Sequence, residues 1–226
     1  MRQAIAGTEA RRLLDGGPVV LVTTAWRGNS NVMPAAYVTP VSFEPPLIGL
    51  AVHPTRHTYD MIRHSEEFAL NLPSRELLHH CQYLGSVTGR EVDKLDLTKL
   101  PTFRARHVDA PLLEGCVGYI ECGVHDAMTM GDHTLFVGKV LAAQVEQGAF
   151  EGTWRLDDPD LKPLHYLGLN YYAQFGERLE ARVPKPEEDA SEEAGSERRE
   201  AETEAERRER EEEERDRRRR EGESGT

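Results

Sequence analysis

The chain has 226 residues, with 40 acidic and 28 basic side chains and a formal net charge of −12 at pH 7. That length suffices for one good-sized domain with a core of its own. Residues 184–226 hold 18 acidic and 11 basic side chains, a net −7, which leaves −5 for residues 1–183. Residues 1–183 show no basic footprint, which argues against a nucleic-acid partner. Three cysteines, Cys81, Cys116 and Cys122, are too few and too irregularly spaced for a disulfide framework. The first seven residues have no apolar leader region, and no segment approaches the length of a membrane span. A reduced, cytoplasmic setting away from membranes is therefore expected.

In chain order, residues 8–14 have helical composition and end at Gly16-Gly17-Pro18. Residues 18–24, rich in β-branched side chains, predict a buried strand. Arg27-Gly28-Asn29-Ser30 predicts a turn, and residues 31–38 return as the antiparallel partner. After the Glu44-Pro45-Pro46 corner, residues 47–52 predict a third, wholly apolar strand. Residues 58–65 read as a short helix with Thr55 or Thr58 as its N-cap. Residues 68–72 predict a strand, and residues 75–84 a helix with Leu77, Leu78, Cys81 and Leu84 at helical spacing. Residues 85–100 read as a polar loop, and residues 116–125, 134–143 and 144–146 as further strands. Many short strands with few helices predict a closed or partly closed antiparallel barrel.

Residues 184–226 have almost no apolar side chain and cannot bury enough surface to offset the entropy of ordering, so a disordered tail is expected. Its Glu and Arg runs over residues 206–220 would support a solvated single helix through i,i+4 pairs.

The chemistry concentrates in residues 31–58. Small residues and prolines stiffen a segment against which another molecule can lie close to the backbone. Arg56 and Thr58 at a helix entrance supply a guanidinium and a hydroxyl beside free amides, the ingredients of an anion site. The pattern suggests a flat ligand against the main chain with a phosphate at the turn. Arg90 and Lys94 either pair with Glu91 and Asp93 or reach that phosphate. Cys116 and Cys122 fall on one strand face by simple alternation. With His79, His80, His125 and His133 they match no closed metal pattern, so no metal is expected. No Gly-x-Gly-x-x-Gly follows a strand, so a dinucleotide-binding Rossmann unit is absent.

Five segments, in order, carry a resemblance. They are residues 39–47 (Thr-Pro-Val-Ser-Phe-Glu-Pro-Pro-Leu), 56–58 (Arg-His-Thr), 68–71 (Phe-Ala-Leu-Asn), 85–94 (Gly-Ser-Val-Thr-Gly-Arg-Glu-Val-Asp-Lys) and 131–138 (Gly-Asp-His-Thr-Leu-Phe-Val-Gly). Over about residues 18–175 the chain resembles flavin reductase-like proteins with an FMN-binding split barrel, flavoredoxin-type members above all.

The resemblance implies a mainly β fold: an FMN-binding split antiparallel β-barrel with short peripheral helices, over residues 1–183, followed by a charged tail. It implies a homodimer that binds FMN non-covalently, with NADH or NADPH as a transient co-substrate. By position, Thr39, Pro40, Val41 and Ser42 would contact the isoalloxazine, and Arg56 and Thr58 would hold the phosphate. Arg90 and Lys94 would lie near that phosphate or the partner subunit. His133, the catalytic candidate, would sit at the rim and steer nicotinamide or acceptor, because hydride transfer needs orientation more than a protein proton donor.

The implied activity is NAD(P)H-dependent reduction of flavin, or of a small acceptor through bound FMN, with a monooxygenase or other electron-acceptor protein as a partner. The alternative is a non-catalytic flavin-binding or electron-carrier module acting with a partner protein. An enzyme of the pyridoxamine-phosphate oxidase type would need a second phosphate pocket, and no second arginine-rich turn provides one. Tyr166, Tyr171, Tyr172 and Phe175 form an aromatic group suited to core or dimer packing.

Overall fold

The β-branched run near the N-terminus forms β1 (Val20–Trp26), and Asn29–Ala35 returns beside it as antiparallel β2. Arg27 and Gly28 between them both take positive φ, 52° and 81°, the left-handed pair that closes a tight two-residue hairpin. The computed structural model describes residues 3–181. The chain divides into two units, Met1–Arg178 and Leu179–Thr226. The expected tail over 184–226 lies outside the described residues.

Next come β3 (Val38–Ser42) and β4 (Leu47–Val52), then helix α1 (His57–Ser65) and β5 (Glu67–Pro73). A 3-10 turn at Arg75–Leu77 runs into α2 (Leu78–Ser86), and α3 (Lys94–Thr98) follows. The short pair β6 (Thr102–Phe103) and β7 (Leu112–Leu113) precedes two long strands, β8 (Cys116–Met130) and β9 (His133–Val145). A hairpin of β10 (Leu164–Gly168) and β11 (Tyr171–Gln174) completes the described elements. Among the described residues no helix is long and apolar enough to cross a membrane.

The main sheet has seven antiparallel strands in the order β2-β1-β5-β8-β9-β4-β3. Its two edges, β2 and β3, are consecutive in the chain and separated only by Ala36 and Tyr37. Three peptide steps reach at most about 11 Å, so the sheet must curl until its edges approach each other. The result is the expected mainly β barrel, split along the seam between β2 and β3. The predicted single strand over 31–38 is thus two strands, broken where the chain crosses this seam.

Alternation along the strands sends the apolar side chains to both faces. Val20, Val22, Phe68 and Leu70 join Leu50, Val52, Ile62 and Phe136 in one cluster. Val19, Leu21 and Ala69 join Leu77, Cys81, Leu84, Leu112 and Leu113 in the other. Both faces of the central strands are therefore covered, which is why their sequences read as continuous apolar runs.

Three local expectations change. Thr55 and Thr58 do not cap α1: its N-cap is Arg56, with no side-chain cap bond. The loop 85–100 is not wholly irregular, because Asp93 accepts from the Asp96 amide and starts α3. Cys116 and Cys122 do not share a face. The β5–β8 pairing steps from Leu72↔Gly118 to Pro73↔Cys116, so Val117 is an extra residue in β8 and reverses the alternation. Cys116 packs with Tyr119 in one cluster and Cys122 lies in the other.

Candidate functional site

At the end of β4 the apolar run stops at His53-Pro54-Thr55-Arg56, and the chain turns into α1. The Arg56 amide donates to the His53 carbonyl (3.0 Å), closing the turn. Thr55 donates to His53 Nδ1 through its amide (3.2 Å), and its hydroxyl lies 2.9 Å from the same nitrogen. An accepting Nδ1 leaves the imidazole proton on Nε2. Because no side chain caps α1, the amides of His57 and Thr58 and the positive dipole end stay available to an anion, while the Tyr59 amide donates to the Arg56 carbonyl.

This turn lines a cavity of about 510 Å³, bounded also by residues 33–37 at the barrel seam, the end of α2 and the 87–89 loop. That volume lies within the range of small-molecule and cofactor sites, about 300–1,000 Å³. Asn31, only 3% exposed, donates through Nδ2 to the Thr58 hydroxyl at 2.8 Å. Its Oδ1 is buried without a partner, and so is His57 Nδ1. Gly89 packs directly over Asn31 Oδ1 and the His57 ring.

Lys94 also lines the cavity although it is 4% exposed. Its ammonium donates to the Leu84 carbonyl at 2.6 Å, a cation set on the last turn of α2. Burial, with help from the nearby positive charge of Arg56, brings its pKa down to about 8. Burial likewise lowers the pKa of His57, and Arg90 and Lys94 add to the effect against the opposing pull of Asp60. The cavity lining thus holds Arg11, Arg56 and Lys94 against a single carboxylate, that of Asp15, an excess of cationic and donor groups suited to a phosphate. Across the cavity, His133 donates from Nδ1 to the Asp132 carboxylate at 2.7 Å. Its ring sits 5.2 Å from that of His53 and 5.8 Å from that of Tyr37. The hydrogen bond from His133 holds the Asp132 pKa below its ordinary value.

The structure therefore brings Arg56, Thr58, Lys94 and His133 together around one cavity. Arg90 does not line it; its guanidinium pairs with Asp60 at 2.6 Å. Neither Arg90 nor Lys94 makes the suggested ion pair with Glu91 or Asp93, since Asp93 is engaged at the start of α3. Thr39, Pro40, Val41 and Ser42 lie along edge strand β3 and are not among the cavity walls. The wall is formed instead by Pro34, Ala35, Ala36 and Tyr37, a few residues earlier. Asn31, His53, His57, Thr88 and Gly89 also line the cavity; they fall within segments 31–58 and 85–94, but the sequence assigned them no individual role. The run of small residues at 34–36 and the asparagine immediately before Val32 were the available signals. Among the described residues no group of three or more His, Cys, Asp or Glu is placed to hold a metal ion.

The flavin reductase like domain family matches residues 16–173. An uncharacterized protein of Pyrococcus abyssi is 38% identical over 168 residues, which is 74% of this chain and 93% of that protein. Among solved structures, the FMN-binding protein of Thermus thermophilus with bound 1-cyclohex-2-enone aligns with a TM-score of 0.70 at 28% identity. The match covers 80% of this chain and 99% of that one. Flavoredoxin from Methanosarcina acetivorans aligns with a TM-score of 0.71 at 25% identity, over 81% and 96% of the two chains. The matched residues contain the whole seven-stranded sheet and the turn that opens α1, and the chain belongs to the flavin reductase-like family.

Proposed function

We propose that this protein is an FMN-binding oxidoreductase that uses NADH or NADPH to reduce flavin, or a small acceptor through bound FMN. The observation that carries the reading is the cationic, donor-rich end of the 510 Å³ cavity, built at an uncapped helix start in a flavin reductase-like fold. The residues present fit the group. Arg56 and Lys94 would neutralise its phosphate, with the hydroxyls of Thr55, Thr58 and Thr88 and the first amides of α1 taking remaining oxygens. Burial has stripped Lys94 of water and lowered its pKa, so a phosphate beside it would restore the charged form. The small side chains of residues 34–36 would let a flat ring lie close to the main chain.

Bound FMN supplies reversible two-electron chemistry by accepting a hydride. This chain's part is to bind, orient and limit water. His133, held by Asp132, and His53, held by Thr55, form a rim that would position the incoming nicotinamide or acceptor. Thr39, Pro40, Val41 and Ser42 would reach a flavin only from the edge strand of a second protomer. A homodimer would also cover Val41 and Phe43, the latter 98% exposed. The proposed setting is cytoplasmic, with reduced flavin passed on to a monooxygenase or another acceptor protein.

The test is to purify the protein, titrate it with FMN, and then add NADH and NADPH in turn without oxygen. A yellow protein bleached by either nucleotide supports the reading. A yellow protein inert to both would make it a carrier, and a protein that takes up no FMN would end the proposal. Arg56→Ala is expected to weaken FMN binding at least about tenfold, the loss of roughly one charge-assisted bond pair. Unchanged affinity in that titration would remove Arg56 from the site.

A further inference from the structure

Asn31 lies in β2 opposite Thr24 of β1 and is 3% exposed. Its Nδ2 donates to the Thr58 hydroxyl at 2.8 Å, while its Oδ1 is buried without a hydrogen-bond partner. Gly89 explains why the amide faces this way. A Cβ at residue 89 would collide with Oδ1 and stand 3.0 Å from His57 Cδ2. The hydrogen that glycine carries in that place lies against the oxygen instead, a weak C–H···O contact. The reverse orientation would set an NH₂ group against carbon-bound hydrogens, with nothing there to accept from it.

Thr58 is 1% exposed, is the second residue of α1 and lines the 510 Å³ cavity. So early in a helix, no preceding turn offers its hydroxyl a carbonyl, the usual partner of a threonine inside a helix. Among the described residues this hydroxyl makes one side-chain hydrogen bond, and in it the oxygen accepts. Asn31 thus takes a lone pair, and the hydroxyl proton is left over. A buried donor without an acceptor costs free energy, which a ligand oxygen in the cavity would relieve. Arg56 and Lys94 line the same cavity, so the acceptor they favour is an anion.

An asparagine suits this task and an aspartate does not. The neutral amide holds the Thr58 oxygen without cancelling either cation. A carboxylate would accept the Thr58 proton, turn it from the cavity and oppose an anion with its own charge.

We propose that Asn31 is a positioning residue: by occupying the Thr58 oxygen, it locks that hydroxyl as a donor toward an anion held at the start of α1. Gly89 sets the direction in which Asn31 faces. That the anion is the phosphate of FMN rests on the reading above; the polarity of the hydroxyl does not.

The experiment is a double-mutant cycle on the full chain, titrated with FMN and with riboflavin, which lacks the phosphate. Thr58→Val is expected to weaken FMN binding about tenfold and Asn31→Leu about fivefold, through one lost or misdirected bond to a charged group. The double variant should bind no more weakly than Thr58→Val, because both changes remove the same donor. Riboflavin affinity should stay as in the wild type throughout. Asn31→Asp, almost the same in shape, should lose more than Asn31→Leu. Should the leucine variant fail to fold, the aspartate variant decides by itself. Losses that add in the double variant, or an equal loss for riboflavin, would make Asn31 merely structural and overturn the proposal. An Asn31→Asp protein that binds FMN as the wild type does would overturn it too. If the wild type takes up no FMN, the flavin reading fails, and the same cycle is read with inorganic pyrophosphate by phosphorus NMR. Non-additive losses there would support Asn31 at an anion site, and absence of binding would overturn its role as well.

Discussion

Gly89 has space for a hydrogen but not for a methyl group, since a Cβ there would collide with Asn31 Oδ1 and crowd the His57 ring. Asn31 is itself fixed by Thr58, so the loop must give way rather than the asparagine. Gly89→Ala is therefore expected to push the 87–89 loop away from Asn31 and His57 and, on the FMN reading proposed above, to weaken FMN binding by about tenfold, roughly 1.4 kcal/mol. Thermal unfolding should change little, because the displaced loop lies outside both core clusters. Equal FMN affinity in the variant would show that the loop takes no part.

Lys94 makes the same site sensitive to pH. Its folded-state pKa of about 8 lies below the ordinary 10.5, so the folded protein disfavours the charged form. Without ligand this costs stability below about pH 8, and the cost is relieved as pH rises from 8 toward 10.5. A bound phosphate reverses the preference and favours the ammonium. FMN affinity is thus expected to be steady below pH 8 and to fall above it, approaching a tenfold loss per pH unit until the bound-state pKa is reached. Lys94→Met should bind more weakly throughout and lose the pH dependence. A flat profile in the wild type would show that Lys94 does not meet the phosphate.

The elements explain why some readings from sequence held and others shifted. The apolar runs of β1, β4 and β5 read as strands because both their faces are buried, and no register knowledge was needed. The bulge at Val117 lies between Gly115 and Gly118 and opposite Pro73, residues that mark many turns as well as bulges, so only the pairing with β5 reveals the extra residue. Similarly, α3 begins at an Asp93 cap within a charged stretch that has few apolar positions to betray a helical period. Glu121, buried at 2%, could not be foreseen as structural: its carboxylate accepts from the Arg106 and His107 amides and pins that loop to β8.

At the crossing of β5, β8 and β9, Gly138 leaves room for Phe68. A Cβ at 138 would lie 2.6 Å from the Phe68 ring and 3.0 Å from Cys122 Cβ. Gly138→Ala should cost about 1–3 kcal/mol by overpacking a core that cannot yield. Urea unfolding would check this, and a midpoint equal to that of the wild type would mean that the sheet flexes to admit the methyl group.

For the whole molecule, every core residue of both clusters lies between Val19 and Leu164. Residues 184–226, with almost no apolar side chain, have nothing to add to such a core. Their removal is expected to leave the melting temperature and FMN affinity within error of the full chain, by calorimetry and titration. A clear loss of either would assign the tail a role in the fold or the site.

Composition and periodicity alone determined that this chain is a mainly β domain with a charged C-terminal stretch, because burial and hydrogen bonding constrain strands locally. The motif order pointed to the family, and Arg56, Thr58, Lys94 and His133 were named from it. Only the tertiary structure decided which main chain faces the cavity. The seam carries residues 34–37 to its wall and leaves residues 39–42 on the outer edge, a difference of one strand crossing that no local pattern encodes. Asn31 and Gly89 are likewise brought together from distant segments, since contacts between residues far apart in sequence arise only when the sheet has curled.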